Sequence, residues 1–323
     1  MCAATPSAHA RPRARDRFRA RRALPLVPVV ALLSAALSLS PVPAGAAPVS
    51  SVATLPSTTA TTTISTTVDF SGDGHPDVIA RTSTGTLYLY RGNGAGGFLG
   101  SRTVIGQGWQ VFDHIFSPGD FSGDGHADLL ARTPAGALYL YRGNGAGGFL
   151  GSGTVIGQGW QVYDRVFSPG DFTGDGHPDL IARVKGGALY LYRGNGAGGF
   201  LGGRTQIGAG WNMFDKVFGV GDFSGDGHPD LMGRTPAGSL YLYRGNGAGG
   251  FLGGGTVIGA GWNMFDKVFG VGDFTGDGYP DLMGRTPAGS LYLYRGNGRG
   301  GFLSGGQVIG AGWQVFNLLS GIG

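Results

Sequence analysis

An all-β fold, a five-bladed β-propeller of four-stranded antiparallel blades, is predicted by three observations. The nonapeptide DFSGDGHPD and its near copies begin at Asp69, Asp120, Asp171, Asp222 and Asp273, a constant step of 51 residues. Every tryptophan keeps the same step, at 109, 160, 211, 262 and 313. Each unit also holds four short runs rich in β-branched and aromatic residues, separated by Gly, Asn and Pro turns, and no window carries the 3.6-residue period of a helix. A small sheet repeated about every 50 residues is the sequence form of a propeller blade, because radial stacking leaves only short, protected edges.

Residues 69–323 divide into five whole units, 69–119, 120–170, 171–221, 222–272 and 273–323. In the second unit the strands are expected near Asp113–Gly119, Asp128–Arg132, Ala137–Arg142 and Thr154–Gly157. Segments such as Leu138–Tyr141 (LYLY) carry large side chains at every position, so both faces of each sheet should be covered by neighbours. After the fifth Trp, Phe316–Gly323 (FNLLSGIG) matches Phe112–Gly119 (FDHIFSPG), the strand that leads into the next acidic loop. The last unit therefore supplies the inner strand that the first lacks, and Phe316 to Ile322 is expected to join the sheet containing Asp77 to Gln107 and close the ring within one chain. A partial larger propeller or a dimer sharing blades are the open-ended alternatives; a monomeric ring is expected. Thr63 to Val68 could flank or compete for the same edge.

With 67 Gly and 17 Pro among 323 residues, composition alone would suggest a low-complexity chain, and only the periodicity overrides that. Seven arginines between positions 11 and 22 precede the apolar run Ala23 to Ser40, and Ala44-Gly45-Ala46 offers a cleavage site. Residues 1–46 read as a signal peptide cleaved near Ala46, which predicts a secreted, extracellular protein; Arg21-Arg22 permits a twin-arginine route. Pro25 and Pro28 interrupt the run, and no later stretch reaches the length of a membrane span. Residues 47–68, rich in Ser, Thr and Ala, read as a linker. Cys2, the sole cysteine, leaves with the signal, so the mature protein has no disulfide or thiol chemistry. The formal +4 charge includes the seven signal arginines and Asp16; without them 17 basic face 19 acidic groups, and no basic footprint for nucleic acid remains.

Three carboxylates within nine residues repel one another and raise each other's pKa unless something neutralises them. Their spacing resembles the calcium loop of EF-hands and, more closely, the loops of FG-GAP/VCBS-type repeats in integrin α-chain propellers. That resemblance implies ligands at loop positions 1, 3, 5, 7 and 9, with two glycines permitting the tight turns. In the first two loops these are Asp69, Ser71, Asp73, the His75 carbonyl and Asp77, then Asp120, Ser122, Asp124, His126 and Asp128. The third and fourth loops give Asp171, Thr173, Asp175, His177 and Asp179, then Asp222, Ser224, Asp226, His228 and Asp230. The fifth gives Asp273, Thr275, Asp277, Tyr279 and Asp281. Up to five structural Ca²⁺ ions are thereby implied. Position 7 accepts His or Tyr, which suits a backbone ligand and argues against zinc. Position 3 is Ser or Thr where the stronger motif has Asp or Asn, which implies binding in the roughly 10 μM to 1 mM range. The competing reading is a turn closed by Asp side chains accepting from backbone amides.

A second signature, Ile-Gly-x-Gly-Trp-x-x-Phe/Tyr, resembles the blade motif of tachylectin-type lectins, five-bladed propellers with one N-acetylated-sugar site per blade. It implies sugar contacts from Trp109, Trp160, Trp211, Trp262 and Trp313 through an exposed indole face, with Gln110, Gln161, Asn212, Asn263 and Gln314 as amide partners. The alternative is an indole packed between blades. Asp113, Asp164, Asp215 and Asp266 follow the aromatic residue, Asn317 replaces them in the last unit, and Arg91, Arg142, Arg193, Arg244 and Arg295 are expected to pair with those aspartates. The GNGAGG stretches are not phosphate loops, because no helix follows them. No enzyme is expected: the chain has no glutamate, the mature part has no cysteine, and its distinctive residues recur five times where an active site is singular. Fivefold equivalence suits a multivalent carbohydrate-binding module; the alternative is a protein-binding or adhesion module of FG-GAP type without sugar sites, and a hydrolase or lyase on the same scaffold is a third class.

Overall fold

The computed structural model describes residues 68–321. The segments expected as signal peptide and linker, the edge strand expected at Thr63 to Val68 and the last two residues lie outside the described residues, except for Val68. That residue is buried, and its carbonyl accepts the Asp77 amide at 2.8 Å, closing the base of the first acidic loop.

Twenty strands form five sheets of four, all antiparallel. In the second blade they run, from the axis outward, His114–Gly119, Asp128–Arg132, Leu138–Tyr141 and Thr154–Gly157. The third, fourth and fifth blades repeat this order from Tyr163–Gly170, Lys216–Gly221 and Lys267–Gly272 as innermost strands. The expected strands are thus present, the third one residue shorter at each end. The sequence reading left no room for helices; the connectors do contain a single 3₁₀ turn each, Trp109–Val111 in the first, entered through a left-handed glycine (Gly108, φ 79°).

Closure occurs as the terminal match requires. Phe316–Ser320 pairs with Val78–Thr82, aligning Ile79 with Ser320, Ala80 with Leu319 and Arg81 with Leu318. The register then slips, so that Thr82 faces Phe316 and Asn317 is the bulged residue. The innermost strands neighbour one another round the ring, and the closing strand meets both the fifth and the second blades.

The core lies between blades. In LYLY the leucines are buried and the tyrosines half-buried against the neighbouring sheet. One cluster joins Ile79, Leu87 and Leu89 of the first blade to Phe112, Ile115 and Leu129 of the second, with Trp109 of the connector between them. A second seam ties the blades at one face. The amide of Gly147 donates to the Phe70 carbonyl of the preceding acidic loop at 2.9 Å, and the equivalent bonds end with Gly96 to Phe274 at 3.1 Å, which joins the first blade to the fifth. The approach demands glycine: a Cβ on Gly72 would lie 2.1 Å from the Gly145 oxygen. The GNGAGG stretches are these latches. Among the described residues no helix is long and apolar enough to cross a membrane.

Removing residues 316–323 strips the Val78–Thr82 edge and should cost more than about 5 kcal/mol, since truncating Phe316 and Leu319 alone accounts for about that much. Size-exclusion chromatography and thermal melts of the truncated protein should show association and a lower, broader transition; an unchanged monomer would contradict closure by this strand.

Candidate functional site

Each acidic loop folds round its own backbone. The Asp69 carboxylate accepts the amides of Gly72 at 2.6 Å, Gly74 at 2.7 Å and Asp73 at 3.2 Å. Asp77 is fully buried and accepts from Ser71 at 2.8 Å, Phe70 at 3.0 Å and Gly92 at 3.1 Å. Asp73 takes the His75 amide on one oxygen and the Arg91 guanidinium on the other, with Nη2 at 2.7 Å and Nε at 3.0 Å. The same pairing joins Arg142 to Asp124, Arg193 to Asp175, Arg244 to Asp226 and Arg295 to Asp277. The sequence reading assigned these arginines to Asp113 and its equivalents; that is corrected, because they sit at the opposite face, over the acidic loops.

Burial, rather than repulsion among the carboxylates, dominates the acidity of the last aspartate in each loop. It pushes Asp77 up to about 6 against the amides that pull it down, and does the same at Asp128, Asp179, Asp230 and Asp281. At Asp73 burial also pushes upward, but Arg91 and the His75 amide outweigh it and hold the carboxyl below its usual range.

Two observations bear on a divalent cation. The loop supplies only oxygen donors, the chemistry calcium selects, and the position-3 hydroxyls Ser122 Oγ, Thr173 Oγ1, Ser224 Oγ and Thr275 Oγ1 are buried without a hydrogen-bond partner. Yet every carboxylate of the first loop already has donors, and among the described residues no three acidic or imidazole groups gather closely enough to hold a metal. The donor set suits calcium, and one of its carboxylates, Asp73, is paired with Arg91. The position-7 side chains pack on the latch of their own unit: a Cβ on Gly94 would touch the His75 ring at 2.4 Å, in keeping with a side chain that is no ligand.

At the opposite face the tryptophans are not sugar platforms. Trp109 is 6% exposed and the other four are 5% exposed. Trp109 lies 4.5 Å from the Tyr141 ring and stacks on Phe149 at 5.4 Å, both in the next blade, and a Cβ on Gly106 would lie 2.1 Å from its Nε1. The packing alternative describes them, and the exposed indole face expected from the sequence is corrected.

Beneath each indole lies a group that sequence reading missed, the buried arginine at or next to the end of the second strand. Arg132 binds Asp113 through Nε at 3.0 Å and Nη2 at 2.8 Å, and donates from Nη1 to the carbonyls of Trp160 and Tyr163 at 3.1 and 2.6 Å. Arg183, Arg234 and Arg285 repeat this clamp with Asp164, Asp215 and Asp266. Their recurrence at 51 residues inside an apolar strand was the available signal. Arg81 donates from Nη1 to the Trp109 and Phe112 carbonyls in the same way, but in place of an aspartate it has Asn317, whose side-chain oxygen accepts from Nε at 3.1 Å.

The amides expected beside the indoles remain at the surface. Gln110, Gln161, Asn212, Asn263 and Gln314 are exposed, have no side-chain hydrogen bond among the described residues, and lie against a turn glycine; a Cβ on Gly85 would meet Gln110 Oε1 at 1.7 Å. Beside them Val111, Val162, Met213, Met264 and Val315 are each about half exposed.

The FG-GAP-like repeat family matches residues 69–131, 120–182, 171–233 and 222–284. No curated protein matches the chain. Among solved structures, one described as "The de novo evolutionary emergence of a symmetrical protein is shaped by folding constraints" superposes with a TM-score of 0.52 at 23% identity, over 75% of this chain and 97% of the other. The BP39L lectin from Burkholderia pseudomallei gives 0.41 at 17% identity, over 72% of this chain and 66% of that one. BBS1N in complex with ARL6DN gives 0.33 at 13%, over 71% and 64%. The first supports the fold alone, and the other two carry no argument.

The two arginine sets should separate in urea unfolding. Arg132→Ala leaves Asp113 and two carbonyls without their donor and should cost about 3 to 5 kcal/mol, as should Trp160→Ala by loss of packing. Arg142→Ala, at an exposed pair, should leave the midpoint unchanged. Equal effects would contradict the assignment.

Proposed function

This chain belongs to the FG-GAP-like repeat family, and from that premise we propose that it is a secreted, calcium-stabilised propeller and a multivalent binding module, its ligand a repetitive glycan. The observation that carries the reading is the set of five exposed carboxamides, Gln110 and its equivalents, repeated on one face without side-chain hydrogen bonds among the described residues. A carboxamide both donates and accepts, which matches sugar hydroxyl and acetamido groups, and the half-exposed Val or Met beside each offers an apolar contact for a ring face. Five modest sites on one rigid ring gain by avidity on a polymer that presents the same unit repeatedly. The same exposed Val and Met residues favour a second reading, a protein-binding or adhesion surface of FG-GAP type. Under either reading it is a binding protein and no enzyme.

Calcium, when bound, supplies positive charge to the acidic loops. Asp120, Ser122, Asp124, the His126 carbonyl and Asp128 would hold it in the second loop, with their counterparts in the others, and the buried hydroxyls without partners are what support this. Since Arg142 holds Asp124, cation and guanidinium compete for one carboxylate.

Two measurements test these statements. Adding calcium to metal-free protein should raise Tm, and Arg142→Gln should bind calcium more tightly than wild type; a melt indifferent to calcium rejects the metal. On a glycan array the protein should bind repetitive polysaccharide, and changing all five carboxamide residues to Ala should abolish this without lowering Tm. Silence across the array, with retention on a protein surface, would replace the glycan by a protein partner.

A further inference from the structure

The ring encloses a cavity of about 270 Å³ at its axis, opening beside the starts of the innermost strands. One position per blade, at the 51-residue step, lines it: His114, Arg165, Lys216, Lys267 and Leu318. Around them the charges do not balance. Asp113, Asp164, Asp215 and Asp266 are each held by the clamp arginine of their own blade. Those four pairs cancel, which leaves Arg165, Lys216, Lys267 and Arg81 without a carboxylate, since Asn317 replaces the fifth aspartate. Arg165 donates only to the backbone carbonyls of Asp164 and Asp215. Lys216 and Lys267 have neither an ion pair nor a hydrogen bond among the described residues. His114 donates Nε2–H to the Val166 carbonyl at 2.7 Å, and burial pushes its pKa down to about 4, so it adds no charge at neutral pH.

We propose that the axial cavity is a binding site for one compact, multivalent oxyanion, with Lys216 and Lys267 as its principal ligands and Arg165 and Arg81 beside them. Half-buried lysines without partners are costly, and a counter-charge that reaches both at once removes the cost. Burial first, and then Arg165 and Arg234, lower the pKa of Lys216; burial and then Lys216 lower that of Lys267, so the two lysines lie within each other's field. The volume is just below the roughly 300 to 1,000 Å³ of pockets for drug-sized molecules, which favours a small ion over an extended one. Lysine presents a mobile point charge with three donors, suited to a phosphoryl or carboxylate oxygen approached from several sides. Val217, Phe218, Val268 and Phe269 follow the lysines along the innermost strands, and the lining of the cavity is mainly polar, as a charged ligand requires. The seam strand brings Asn317, Leu318 and Ser320 to the cavity and no charge, so the cations come from the third, fourth and fifth blades and from Arg81 of the first. This site is axial and single, separate from the fivefold carboxamide array.

The test uses full mature protein in resin-treated, calcium-free buffer without soluble chelator, because chelators are themselves multivalent anions. Calorimetric titration with pyrophosphate in one arm and citrate in the other should give one site per chain and a raised Tm in at least one arm. The preferred arm tells phosphoryl from carboxylate chemistry. Lys216→Met and Lys267→Met should each weaken binding by about tenfold or more, and the exposed control Lys185→Met should not. Without anion, the double Met variant should melt no lower than wild type, since two repelling charges are removed. No binding in either arm, a stoichiometry of five, or full affinity in both single variants would overturn the proposal.

Discussion

The ring depends on a buried guanidinium in every blade. An arginine held at the end of an interior strand cannot lose its proton, so its donors must be met by fixed acceptors. Arg132 meets them with one carboxylate from the start of its own blade and two carbonyls from the connector that leaves it. The connector is thereby held in a single 3₁₀ turn, and that turn drives the indole into the groove between blades. Aromatic packing fills the groove, but the guanidinium sets where the tryptophan can be.

The acidic loops follow the same logic with opposite sign. Backbone amides and one arginine answer their carboxylates, so the fold already contains a neutralising scheme for charges that, from sequence, seemed to need an ion. What that scheme leaves over is a buried hydroxyl in four of the loops.

Much of the architecture was legible because periodicity is a property of the whole chain: the strand positions, the five blades and the closing role of Phe316–Ser320 all follow from the step of 51. Pairing between charges was not. Every unit shares two arginines, ten residues apart, on adjacent strands, and only the hairpin between Arg132 and Arg142 decides that one is buried near Asp113 and the other lies over Asp124. The tryptophan was misread because flanking glycines look the same whether they expose an indole or admit it to a tight groove. The axial cations escaped notice for another reason: His, Arg, Lys, Lys and Leu share a position but not a residue type, so a search for identity passes over them.

Asn317, Leu318 and Ser320 stand where the other blades carry an acid, a larger polar group and a phenylalanine, all at the strand that completes the circle. Near-perfect internal repetition would make the five rotational settings of the ring interchangeable. These three side chains act as an index mark, so anything seated on the axis meets a distinguishable front and back, and the molecule has a heading as well as a centre.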